Sequence, residues 1–165
     1  MTPEIRPLTH ADAEACDAIV LGLPYHFGMA EGRDLAAQAV RTQRGLTAVE
    51  DGVVVGFCTF VPRFDAAAEI TWMAVAAEHR RRGIGHALID ALKQLLVDED
   101  RGLLVVLTVS PTDPGDEPDD GYQSTRRFYE QVGFVLIRDL PREWEESTAV
   151  LMAMPLGPPA GAPPG

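Results

Sequence analysis

Residues 75–92 read VAAEHRRRGIGHALIDAL, and the fold turns on how this stretch is read. Three arginines run straight into Gly-Ile-Gly, and an amphipathic segment follows without a gap. Over 83–100, GIGHALIDALKQLLVDED, the residues Ile84, Leu88, Leu92, Leu95 and Leu96 recur at helical spacing, which predicts a helix with one apolar stripe. Its start is therefore a turn with exposed backbone and local positive charge. Helix N-termini leave amide N–H groups unpaired and carry partial positive charge, so they hold anions. Gly83 and Gly85 allow a ligand to reach the backbone without meeting a side chain. The arginines add charge-assisted hydrogen bonds. A glycine pair alone also fits an ordinary turn beside a solvated arginine cluster.

This positive turn is an exception in its chain. The 165 residues carry 25 acidic and 14 basic side chains, a net charge of −11. Such a surface repels nucleic-acid phosphates and anionic membranes. Neither a nucleic acid nor a membrane is an expected partner. Apolar residues make up 46%, enough for a globular core. Nowhere do about 18 apolar residues run together, and the N-terminus has no signal-peptide pattern. Cys16 and Cys58 lack metal-ligand spacing and read as reduced, buried thiols of a cytoplasmic protein. No metal is expected.

Working outward, EIRPLT (4–9) reads as a strand, and Thr9 or His10 opens a helix through 11–23. Pro24 and Gly28 break it, and a second helix over 31–44 ends near Gly45. The run 46–64 holds two β-rich segments around Asp51-Gly52, a hairpin dipeptide. Residues 68–75, AEITWMAV, form the next strand. LLVVLTVS (103–110) is apolar enough for a strand buried on both faces. The acidic loop 111–121 leads to a helix over 122–133 that stops at Gly133, and strands 134–140 and 147–156 follow. This order predicts one α+β domain over 1–156 around a central sheet, then a disordered Pro/Gly tail, 157–165.

Two phosphate motifs are excluded. A P-loop needs Gly-Lys-Ser/Thr, and His86 and Ala87 follow Gly85; a dinucleotide fingerprint needs Gly or Ala where Leu88 stands. The segment MAVAAEHRRRGIGHALI (73–89) instead resembles the acyl-CoA-binding signature of the GNAT superfamily of N-acetyltransferases. Its Arg/Gln-x-x-Gly-x-Gly/Ala core falls on Arg80, Gly83 and Gly85. A second segment, TRRFYEQVGF (125–134), is similar to the family's Phe-Tyr-Glu-x-x-Gly-Phe. The resemblance runs from about residue 4 to 156.

The resemblance implies a GNAT-like fold, with a mixed, mainly antiparallel sheet flanked by helices. It implies acetyl transfer from acetyl-CoA, a co-substrate, to a primary amine. Backbone amides from Arg81 through Gly83, Ile84 and Gly85 to His86 would hold the pyrophosphate, with Arg80, Arg81 and Arg82 adding side chains. Met73, Ala74 and Val75 would pair with the pantetheine arm, and the Val75 N–H would polarise the thioester carbonyl. Tyr129 matches the tyrosine that protonates the departing sulfur. A phenol of pKa about 10 beside a thiol of about 8.5 is suited to that exchange. Its alternative is a core tyrosine with a satisfied hydroxyl.

Glu69 is the candidate base for the attacking ammonium, against a salt-bridged strand residue. His26 and His79 are weaker candidates, the latter as part of the turn. Phe27, Trp72 and Trp144 are candidate acceptor-pocket residues, although packing explains them equally well. The chain departs from the family pattern at Ala77, where Pro is common, and at Tyr122, where Asn often contacts the pantetheine. Acidity favours a cationic small-molecule acceptor. Oligomeric state stays open, a homodimer included.

Overall fold

The computed structural model describes residues 2–24, 30–111, 122–144 and 147–157. His26, Phe27, all but the first residue of the acidic loop and all but the first residue of the tail lie outside them. The strands are β1 (Glu4–Pro7), β2 (Arg44–Glu50), β3 (Val53–Arg63), β4 (Ala67–Val75), β5 (Leu103–Val109), β6 (Val135–Trp144) and β7 (Ser147–Pro155). The helices are α1 (Ala13–Leu21), α2 (Ala30–Thr42), α3 (Ile84–Asp98) and α4 (Tyr122–Gln131). The strand order is β1-β2-β3-β4-β5-β7-β6, a mainly antiparallel seven-stranded sheet with four helices. The chain divides into two compact units, Met1–Pro62 with Ile70–Leu95 and Arg63–Glu69 with Leu96–Gly165.

In the first unit, β1 pairs antiparallel with β2, and β2 with β3. Glu50 pairs with Val53, so Asp51-Gly52 is a two-residue hairpin loop. Both residues have positive φ, 50° and 79°, the type I′ geometry that matches strand twist. One face of this unit carries α1 and α2. Cys16, Ile19, Val20, Ala36 and Val40 close over Phe57 of β3 and Ala74 of β4.

Thr9 caps a short 3-10 turn, His10–Asp12, that runs into α1. Asp12 is 5% exposed and is the centre of this helix start. Its carboxylate accepts from both Arg6 terminal nitrogens (2.8 and 2.7 Å), the Thr9 N–H (2.8 Å) and the Thr9 hydroxyl (2.8 Å). Arg6 lies on β1, so these bonds fasten α1 to the edge strand. The Arg6 guanidinium, above all, holds the Asp12 carboxyl well below the usual carboxylate range.

The second unit has the order β5-β7-β6, antiparallel throughout. The β3–β4 hairpin tip belongs to it. Phe64 there has φ 53°, and Arg101 donates to the carbonyls of Phe64 (2.9 Å) and Asp65 (3.0 Å). That guanidinium fixes a strained turn that is otherwise exposed.

Three expectations are corrected. The second helix ends at Thr42, and Gly45 lies in β2 opposite Thr59. A Cβ at Gly45 would stand 2.5 Å from the Cys58 carbonyl, so the glycine serves close strand packing and not a helix end. β5 is fully buried on one face only, at Leu104, Val106 and Thr108, while the alternate residues are half-buried. On α3 the fully buried stripe is Ile84, Leu88, Leu92 and Leu96, joined by Ile89, and Leu95 is half-buried. A helical stripe is wider than the narrowest sequence template, so a flanking position joins it.

The Asp12 anchor predicts a pH-dependent stability difference. A depressed carboxyl pKa contributes stability that is full above the unfolded value, about 3.9, and is lost as pH falls towards the folded value. Asp12→Asn should lower unfolding free energy by ~1–3 kcal/mol at neutral pH. The gap between variant and parent in denaturant melts should then shrink below about pH 4.

Candidate active site

The turn between β4 and α3 lies wholly in the first unit. After Ala74, buried, and Val75, half-buried, comes a short 3-10 turn, Ala77–His79. Arg80 is extended, with φ −66° and ψ 158°, whereas Arg81 and Gly83 have φ 58° and 81°. Left-handed residues at 81 and 83 fold the backbone into a concave turn of the kind that gathers amides around an anion. The Gly83 carbonyl accepts from the Ala87 N–H at 3.0 Å, the first bond of α3. The amides of Ile84 and Gly85 thus stand in a first turn that offers them no helical acceptor. A Cβ at Gly83 would meet no atom within 4 Å, so the space over this backbone is open.

The three arginines are exposed but do not behave alike. Arg80 donates through Nε to the Val75 carbonyl at 3.4 Å, and partial desolvation lowers its guanidinium pKa. Arg82 Nη1 lies 2.9 Å from His79 Nδ1 and 3.3 Å from Glu50 Oε2. His79, a weaker base candidate expected mainly as part of the turn, binds Glu50 at 2.9 Å and is one of its anchors.

The end of β4 breaks its own alternation. The Thr71 hydroxyl lies 2.8 Å from that of Thr59 and donates to Gln43 Oε1 at 2.5 Å. Thr59 shares a strand face with Phe57, in the α1–α2 cluster, and Trp72 and Ala74 pack against or within that same cluster. Consecutive residues Thr71 and Trp72 therefore face one side, as at a bulge, and Met73 and Val75 turn to the other. Trp72 is a half-buried packing residue of this cluster.

The second unit holds Tyr129 and Glu69. Tyr129, on α4, is buried, and its ring meets Phe134 edge-on at 5.2 Å and 69°, and Phe128 at 5.3 Å and 60°. The helix ends at Gly133, φ 110°, as expected. The Phe134 N–H bonds to the Tyr129 carbonyl (2.9 Å) and the Gly133 N–H to that of Glu130 (3.1 Å). This is the Schellman pattern, with Tyr129 and Phe134 as its apolar pair. Buried Arg126, one turn earlier, donates to the Val109 carbonyl at the end of β5 (2.9 Å). Beyond it, the Ser110 hydroxyl donates to Asp139 at 2.5 Å. Glu69 is largely buried, and its Oε2 accepts from Arg63 Nε at 2.5 Å. Trp144 ends β6, opposite Ser147.

Both cysteines are buried, and burial pushes each thiol up to about 12. Neither is a thiolate nucleophile at neutral pH. Among the described residues no His/Cys/Asp/Glu cluster could hold a metal ion, and no helix is long and apolar enough to cross a membrane.

Sequence reading missed Glu50, Arg126, Ser110, Asp139 and the Thr59–Thr71–Gln43 chain. Each makes a contact across many residues, and no local pattern announces such pairs.

The acetyltransferase (GNAT) domain family matches residues 41–136, and the chain belongs to it. It is an acetyltransferase enzyme of this family. No curated protein matches the chain in sequence. Among solved structures it resembles a GNAT-family protein from Desulfovibrio desulfuricans (20% identity, 94% of this chain and 99% of that one, TM-score 0.80). It also resembles the ribosomal-protein-S18-alanine N-acetyltransferase of Escherichia coli (17%, 99% and 99%, 0.75). A third is an aminoglycoside 6'-N-acetyltransferase complexed with coenzyme A (18%, 98% and 99%, 0.72). At these identities the likeness is one of fold.

The open left-handed glycine yields a test by binding calorimetry. Gly83→Val strains the turn and fills the space over its amides, so coenzyme A binding should be lost while circular dichroism stays native. Arg80→Ala should cost only ~1–3 kcal/mol of affinity. Parental affinity in Gly83→Val would show that the ligand does not approach this backbone.

Proposed function

We propose that this enzyme moves an acetyl group from acetyl-CoA to a primary amine by direct attack within a ternary complex. The observation that carries the reading is the turn at residues 80–86. Its left-handed Gly83, open above, precedes helix amides without helical acceptors and stands among exposed arginines. That is a fit for the pyrophosphate of coenzyme A, with Arg81 to His86 supplying backbone and Arg80 a side chain. Met73, Ala74 and Val75 pair with the pantetheine arm, and the Val75 N–H polarises the carbonyl that the amine attacks.

Tyr129 is the general acid that returns a proton to the departing sulfur. A phenol of pKa about 10 suits a thiolate whose conjugate acid lies near 8.5. Glu69 is the base, direct or through water. It is needed because an amine of pKa about 10.4 is neutral only once in a few thousand molecules at pH 7. Arg63 engages one of its oxygens, and the other is the one that takes the proton. Neither buried thiol is a nucleophile for a covalent route, which supports direct attack.

The acceptor is read as a cationic small molecule, on the strength of the net charge of −11. Relatives by fold act on an aminoglycoside in one case and a ribosomal-protein alanine in another. Trp72, Trp144 and Phe27 are the proposed acceptor-pocket residues, and the enzyme is placed in the cytoplasm, as monomer or homodimer. A panel of amines with acetyl-CoA, read by product mass, identifies the acceptor.

Tyr129→Phe removes only the hydroxyl. It should leave the melting temperature and acetyl-CoA affinity nearly unchanged and slow single-turnover acetyl transfer about 10²–10⁴-fold. Parental turnover with a lowered melting temperature would instead mark a core tyrosine. Glu69→Gln, assayed with the identified acceptor, should slow acetyl transfer about 10²–10⁴-fold without changing acetyl-CoA affinity. An unaltered rate would make Glu69 a structural partner of Arg63.

A further inference from the structure

The most unusual charge in the first unit is the carboxylate that ends β2. Glu50 is 7% exposed and stands directly before the Asp51-Gly52 turn. Its Oε2 lies 2.9 Å from His79 Nδ1 and 3.3 Å from Arg82 Nη1. Its Oε1 is buried without a hydrogen-bond partner among the described residues. Burying a carboxylate costs several kcal/mol unless donors repay it, so this charge is held at a cost by the two donors on the β4–α3 connection. His79 Nδ1 also lies 2.9 Å from Arg82 Nη1. One ring nitrogen cannot donate to Glu50 and accept from Arg82 at once. Glu50 is therefore the hub, and it ties the histidine before the arginine run and the run's last arginine to the end of β2.

We propose that Glu50 is a positioning residue for the phosphate-binding turn. It holds Arg82 back as a strut, with His79 as its second donor, and the strut sets the left-handed path through Arg81 and Gly83 that presents the helix amides. Arg80 and Arg81 are then the arginines left to meet phosphate. The proposal rests on the acetyl-CoA reading above and adds to it a division of labour among three neighbouring arginines.

Electrostatics alone makes the opposite prediction, which renders the proposal sharp. A carboxylate beside an anion site repels the anion, so neutralising it should tighten binding. A positioning carboxylate gives the reverse sign. We expect Glu50→Gln to weaken acetyl-CoA binding about tenfold by calorimetry at 25 °C, where the variant is folded by circular dichroism.

Arg82→Ala, at an exposed position that folds readily, should weaken binding similarly in the parent and add little in Glu50→Gln, because both changes remove one strut. Unchanged or tighter binding by Glu50→Gln overturns the proposal. So does an Arg82→Ala loss that is as large in the Glu50→Gln background as in the parent, since Arg82 would then touch phosphate itself. If Glu50→Gln fails to fold, the His79→Gln variant takes its place in the same cycle, with the same outcomes for and against. A parent protein that does not bind acetyl-CoA overturns the underlying reading and this one together, a result distinct from either variant outcome.

Discussion

A helix cannot satisfy the amides of its own first turn, and in this chain that shortfall falls where β4 hands over to α3. Ile84 and Gly85 begin the helix with N–H groups that have no preceding carbonyl in register. The approach to them is kept clear by Gly83, whose φ of 81° suits glycine and whose missing side chain leaves open space. The fully buried stripe Ile84, Leu88, Leu92 and Leu96 packs the helix below this turn. What the turn presents outward is thus set by what the helix buries inward. The arginines flank a turn whose shape the backbone already defines.

A comparable economy governs Tyr129. The residue that begins the Schellman end of α4 also packs its ring against Phe134 just past that end. Gly133 permits the left-handed step, and a Cβ there would come within 3.2 Å of Met154 Sδ, so the turn is also tightly seated on β7. Arg126, buried with its guanidinium on the Val109 carbonyl, ties the same helix to the end of β5. Helix end, aromatic contact and strand cap together restrict where the phenol of Tyr129 can point.

Much of this was legible in the residues themselves. The Asp51-Gly52 hairpin, the start of α3 just after Gly83 and the stop at Gly133 are local events. They rest on backbone conformations that few residue types adopt, so a few letters suffice to announce them. Gly45 misled for the same reason. A glycine after a helical run reads as a helix end, but here its smallness serves the Cys58 carbonyl on the next strand. The strand at 103–110 misled in another way, because apolar composition does not show that one face is only half covered.

The sequence by itself determined the element order, the glycine turn ahead of α3 and the family, since each depends on spacing within a few consecutive residues. Only the tertiary structure decided which charges meet. Glu50 holds His79 and Arg82, Glu69 holds Arg63, and Asp12 holds Arg6. In a chain with 25 acidic and 14 basic residues, composition allows hundreds of such pairs. Strand register and turn geometry select a few, because a buried carboxylate survives only where donors are brought within about 3 Å of it.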